Sequence, residues 1–150
     1  MLGAELAIYN EQQVFLRRVN LNAGQLRTDT KRALLSMRDR IHHLNVLEFY
    51  GISLLNSHCY LVSQSCNKGI LRDILQNDKF TLDINFKYSM SLDIARGLQY
   101  LHNQSIYHGQ MTSSVCLIDT RWTVKISDWE LSYLSSCQGD KSALKPTEKE

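Results

Sequence analysis

The chain has 150 residues, 43% of them hydrophobic and 21% charged, which is the composition of one soluble globular domain or a large piece of one. Its 17 basic and 15 acidic residues leave a net charge of +2, and the basic residues are spread along the chain, so no nucleic-acid-binding surface is indicated. The four cysteines, Cys59, Cys66, Cys116 and Cys137, form no C-x-x-C pair of the kind metal frameworks use, and no apolar run approaches the roughly 20 residues that span a bilayer.

Met1 to Asn10 includes Glu5 and has no basic leader, so no secretory signal is read there. Glu5 to Tyr9 and Val14 to Val19 are apolar runs on either side of Asn10-Glu11-Gln12-Gln13, the pattern of a two-stranded hairpin. Thr28 to Arg40 changes to helical spacing, with Leu34, Leu35 and Met37 expected on the packed side and Lys31, Arg32, Arg38 and Arg40 opposite. Leu47 to Leu54 and Cys59 to Ser63 read as two more strands around the turn residues Asn56-Ser57.

Gly69 to Gln76 reads as a short helix. Leu82 to His102 is a long one, with Phe86, Met90, Ile94, Leu98 and Leu101 at steps of three and four and Asp83 placed to favour its N-terminus. Val115 to Ile118 and Thr123 to Ile126 are short strands about Asp119-Thr120-Arg121. The tail from Gln138, with Gly139, Pro146 and many charges, reads as disordered.

This order of elements is that of a protein kinase small lobe followed by the start of the large lobe, an α+β fold built on an antiparallel sheet with one helix and then helices. Kinases carry V-A-I-K, H-R-D-L-x-x-x-N and D-F-G along such a chain. The corresponding segments are Val14-Phe15-Leu16-Arg17, the loop His108 to Val115, and Asp128-Trp129-Glu130, in the same order. Leu61 to Leu75, Asp93 to His102, the pair His108-Gly109 with Ser113-Ser114-Val115-Cys116, and the triplet Met37-Arg38-Asp39 resemble the kinase homology domain of membrane guanylyl cyclases. That family writes H-G-x-L-K-S-x-N-C-x-x-D in place of the H-R-D loop, and Gly109 and Cys116 match its version. The resemblance divides the chain into a small lobe over 1–66 that lacks the first strand and Gly-rich loop, with Gly3 as a remnant, the start of a large lobe over 67–137, and a tail over 138–150.

The resemblance also locates the chemistry. The catalytic-loop Asp, which accepts a proton from the substrate hydroxyl, is replaced by Gln110, an amide with no basicity at neutral pH. The metal-binding Asn is replaced by Val115, which has no ligand atom. Asp128 keeps a carboxylate that either meets a weakly held magnesium ion or merely caps a turn. The Lys of V-A-I-K falls on Arg17, or on Arg18 with a shift of one, and the residue is either a phosphate contact or an exposed strand position. No Glu lies between Thr28 and Met37 to pair with it. The linker runs through Gln64-Ser65-Cys66, preceded by Ser63, and its backbone at Gln64 and Cys66 is where an adenine would be read. His108 is expected to organise backbone rather than bind metal, and Ser113 and Ser114 have no triad partners.

The resemblance thus implies a regulatory pseudokinase segment without phosphotransfer of its own. In a homodimeric receptor that makes cyclic GMP from GTP, such a segment stands between a membrane span and the cyclase domain, on the cytoplasmic side of the plasma membrane. ATP is the implied allosteric ligand, with magnesium weak or absent. The rival readings are a divergent active kinase and a nucleotide-independent scaffold. Marginal stability with exposed hydrophobic surface is expected of the chain.

Overall fold

A computed structural model describes residues 4–22, 27–79 and 81–138, with side chains placed over 5–19, 27–79 and 81–134. Gly3 and the tail residues 139–150 lie outside the described residues. Two compact units divide the chain: one takes His43–Leu47 and Cys66–Trp129, and the other takes the described residues on either side of them, 4–42, 48–65 and 130–138.

The second of these units is a sheet with a helix. Strands β1 (Ala4–Tyr9) and β2 (Gln12–Asn22) pair as a hairpin, helix α1 spans Thr28–Arg40, and β3 (Phe49–Leu55) and β4 (His58–Gln64) form a second hairpin. All pairings are antiparallel, in the order β1-β2-β4-β3. Each hairpin turns in two residues, Asn10-Glu11 and Asn56-Ser57, and all four have positive φ, the condition for a turn whose twist matches the strands. The first turn is therefore tighter than the sequence pattern suggests, because Gln12 and Gln13 already pair with Tyr9 and Ile8. On α1 the buried residues are Thr30, Leu34 and Met37; Leu35 stays 41% exposed, one step of about 100° round the helix from Leu34.

The first unit is built round β5 (Gly69–Ile70), α2 (Leu71–Leu75), α3 (Ile84–Asn103), β6 (Cys116–Ile118) and β7 (Val124–Ile126), with the sheet order β5-β6-β7. The helix expected over Gly69 to Gln76 is shorter than that, because Gly69 and Ile70 are extended and pair with Ile118 and Leu117. Asp83 caps α3 by accepting the Phe86 N–H at 2.8 Å. Leu71, Ile74, Met90, Cys116, Ile118 and Val124 form a buried cluster with Ile94 packed against it. Apolar surface is left on α3, where Ile84 is 76% and Tyr88 71% exposed. No helix among the described residues is long and apolar enough to cross a membrane.

The segment His43–Leu47 belongs to this unit, although Leu47 reads in sequence as the start of a strand. Val46 bridges Ile126 in parallel, Leu47 N donates to Ile126 O at 2.8 Å, and Ile126 N donates to Asn45 O at 3.0 Å. The Asn45 side chain donates from Nδ2 to Val124 O at 3.1 Å, and Lys125 Nζ donates to Leu44 O at 3.0 Å. From α3, Asp93 accepts the Val124 N–H at 3.0 Å. Gly97 of α3 lies so close that a Cβ there would stand 2.5 Å from Asn45 O and 2.8 Å from Ile126 Cδ1.

That contact sets a sign for one substitution. Helix propensity alone favours Ala over Gly by about 1 kcal/mol, but Gly97→Ala meets backbone, which cannot rotate away. The variant should be destabilised by about 1–3 kcal/mol in urea denaturation.

A pH dependence follows from the same segment. The His43 ring stacks on Tyr100 at 4.7 Å, and its Nδ1 accepts the Asn45 N–H at 3.1 Å. Burial first, then Lys125 and Arg96, hold its pKa below the ordinary 6.5. The unfolded chain therefore takes up this proton before the native one does, so stability should fall as pH drops through 6.5 and level off below the folded value. Thermal melts at successive pH values between neutrality and mild acid should record the fall, and His43→Gln should flatten it.

Candidate functional site

After α3 the chain enters a loop whose bonds are local. Thr112 caps the 3-10 turn Ser113–Val115 by accepting the Ser114 N–H at 3.3 Å, and Val115 N donates to Thr112 O at 3.1 Å. Gly109 has φ +73, and a Cβ there would meet nothing within 4 Å, so backbone conformation rather than crowding suits this position to glycine. Gln110 is exposed, and its N–H donates to His108 Nδ1 at 3.3 Å. Because Nδ1 accepts, the ring proton sits on Nε2, which donates to Ser127 O at 2.7 Å in a buried bond. His108 thus organises backbone, as its place in the loop suggests.

Ser127 joins this loop to the end of β7. Its carbonyl accepts the hydrogen bond from His108 Nε2–H, its N–H donates to Val115 O at 2.8 Å, and its hydroxyl donates to the same oxygen at 3.0 Å. Sequence reasoning passed over Ser127; the available signal was its place between an apolar strand and Asp128. The half-buried Val115 offers no side-chain ligand, and its carbonyl already receives two hydrogen bonds.

Asp128 is buried at φ +66, a left-handed conformation that Asp tolerates better than most residues but that still costs of order 1 kcal/mol. Trp129 follows, fully buried, with its indole N–H donating to Leu47 O at 3.0 Å. Glu130 is buried too, and it lies in a helix, α4 (Trp129–Gln138), that the sequence reading did not anticipate. Where kinases keep a glycine after the aromatic, this chain continues in ordinary helical backbone.

The remaining candidates fall in different places. Arg17 is buried at 7% exposure, on the sheet face shared with Leu61, so the reading of it as an exposed strand residue is corrected. Arg18 points to the opposite face, is itself exposed, and bonds from Nη2 to His58 Nδ1 at 3.2 Å. The buried face of α1 carries Thr30, Leu34 and Met37 and no acid, while its acids Asp29 and Asp39 are exposed, the latter bound to Arg38 at 2.8 Å. Gln64 ends β4 in the sheet unit, with its N–H donating to Glu48 O at 2.9 Å. Gln110, Val115, Asp128 and Cys66 lie in the other unit.

Cys66 and Cys116 are buried free thiols, and burial pushes both up to about 11, so neither is a thiolate at neutral pH. Cys137 lies where no side chain is described. Among the described residues no group of three His, Cys, Asp or Glu side chains is placed to hold a metal.

Residues 5–149 match the family model described as protein tyrosine and serine/threonine kinase. Guanylate cyclase D of Mus musculus is 36% identical over 124 residues, which is 82% of this chain and 11% of that protein. Atrial natriuretic peptide receptor 2 of Anguilla japonica is 35% identical over 144 residues, 94% of this chain and 14% of that protein. A receptor-type guanylate cyclase, gcy-28 of Caenorhabditis elegans, is 36% identical over 134 residues, 85% of this chain and 10% of that protein. The chain therefore spans 10% to 14% of the length of these curated relatives.

The bonds at Ser127 rank two substitutions. Ser127→Ala removes one hydroxyl bond from a carbonyl that keeps another, and should cost about 1 kcal/mol. His108→Phe strips the buried Ser127 carbonyl of its partner and should cost more, about 1–3 kcal/mol. Urea unfolding midpoints of the two variants would check the order.

Proposed function

This chain belongs to the protein tyrosine and serine/threonine kinase family, with relatives among receptor guanylate cyclases, and on that premise we propose that it is a regulatory pseudokinase segment. The observation that carries the reading is the loop from His108 to Val115. Phosphoryl transfer in this family rests on an Asp that orients the acceptor hydroxyl and on two groups that hold magnesium. At the first position stands the exposed amide of Gln110. At the second stands Val115, whose carbonyl is committed to Ser127.

Asp128 is left as one carboxylate. Magnesium favours an octahedral set of oxygens, and the side chains here do not supply the pair of ligands that kinase chemistry uses. Magnesium bound with ATP would neutralise phosphate charge; of the three kinase positions, 110, 115 and 128, Asp128 is the one that keeps a carboxylate, and we take magnesium binding to be weak or absent. Arg17 keeps a positive charge, but α1 turns no carboxylate toward the sheet to hold it as the active-kinase ion pair does. ATP enters this proposal as an allosteric ligand, read through the backbone at Gln64 and Cys66 with help from Arg17.

In the parent protein the segment would relay ligand binding to a cyclase domain that makes cyclic GMP from GTP. It would act within a homodimer, on the cytoplasmic side of the membrane that its relatives' receptor names suggest. The cyclase chemistry would belong to another part of that chain.

Incubation of the purified protein with labelled ATP and either magnesium or manganese should give no phosphotransfer above that of Asp128→Asn. Transfer that disappears in Asp128→Asn would overturn the proposal in favour of a divergent active kinase. Under the same conditions ATP should raise the melting temperature, and the absence of any shift with either metal would replace the ATP-sensing role with that of a nucleotide-independent scaffold.

A further inference from the structure

The four-stranded sheet has a second face, and that face is hollow. Strand alternation puts Arg17, paired with Leu61, on one side, and the register partners Ala7 and Val14, and Gly51 and Val62, on the other. On this second side lies a cavity of about 330 Å³. Val14 and Val62 line it and are only 1% and 8% exposed, while Ile8 and Tyr9, which also line it, are 78% and 58% exposed, so it is buried on one side and open to water on the other. Gly51 provides part of the depth: at φ +147 it sits in a region other residues avoid, and a Cβ there would meet nothing within 4 Å. The volume is at the lower end of the range for small-molecule sites, which begins at about 300 Å³.

The lining selects the occupant. None of its residues is charged, which excludes a phosphate, a carboxylate or an ammonium group as the main anchor. Its polar side-chain groups are three hydroxyls, two tyrosyl and one seryl. A polypeptide laid across the sheet would bring more backbone N–H and C=O groups than three hydroxyls can pair. A small uncharged molecule brings no such demand. We propose that this cavity, on the sheet face away from Arg17, is a binding site for a neutral, largely apolar small molecule, separate from any nucleotide site.

The test uses N-phenyl-1-naphthylamine, an uncharged aromatic dye that brightens in apolar surroundings, with the whole chain. Fluorescence titration should saturate at one dye per chain, and in methyl NMR spectra of the unmodified protein the Val14 and Val62 signals should shift with the same midpoint. Ala7→Trp from β1 and Ser53→Trp from β3 fill the cavity from opposite sides, and each should weaken binding at least tenfold. Tyr88→Gln, on the exposed face of α3, should leave it unchanged. Absence of saturable binding, or shifts confined to the Ile84 and Leu92 methyls of α3, would overturn the proposal without need of any variant. So would binding that survives in both filled variants.

Discussion

The backbone of His43–Leu47 is gripped from two sides, and the unit that carries the candidate loop depends on that grip. On one side it adds a parallel neighbour to β7, with Asn45 bonding through both its carbonyl and its side chain and Leu47 through its N–H. On the other side α3 approaches so closely that only a glycine fits at position 97. Lys125 and Trp129 add bonds to the carbonyls of Leu44 and Leu47. Buried backbone groups left unpaired would each cost about 1–3 kcal/mol, so moving α3, β7 or this segment separately is expensive. Asp128 is placed by the strand so held, two residues beyond Ile126.

Frame and chemistry separate cleanly at Ser127. Its three bonds, to His108 and twice to Val115, use main-chain atoms of the loop except for the histidine ring. The side chains at 110 and 115 take no part in them. A loop fastened in this way can exchange an acid for Gln110 and an amide for Val115 while its path stays the same. The fastening of this loop therefore does not depend on which side chains stand at 110 and 115.

Period and turn chemistry made most of the architecture legible in the sequence. Helix α1 begins and ends where the spacing put it, α3 begins one residue after its Asp83 cap, and both hairpins lie on the Asn-containing turns. Local signals failed where tertiary pairing overrode them. Leu47 reads as strand but joins β7, Gly69 and Ile70 read as helix but pair with β6, and α4 follows Asp128 in a stretch whose helical pattern is weak. At the candidate site, Gln110 and Val115 could be found because motif spacing fixes them. Ser127 could not, since its role lies in two main-chain atoms and a hydroxyl with partners up to 19 residues away. Strand alternation puts Arg17 and Arg18 on opposite sides of β2 but does not say which side is buried; the structure buries Arg17.

Native-state amide hydrogen exchange examines the gripped segment directly. The Leu47 and Ile126 amides, whose bonds tie the segment to β7, should exchange only through the largest opening of their unit, with the same free energy as its cooperative unfolding and with equal sensitivity to denaturant. Exchange of these two amides by a small local opening, while α3 stays protected, would contradict the account.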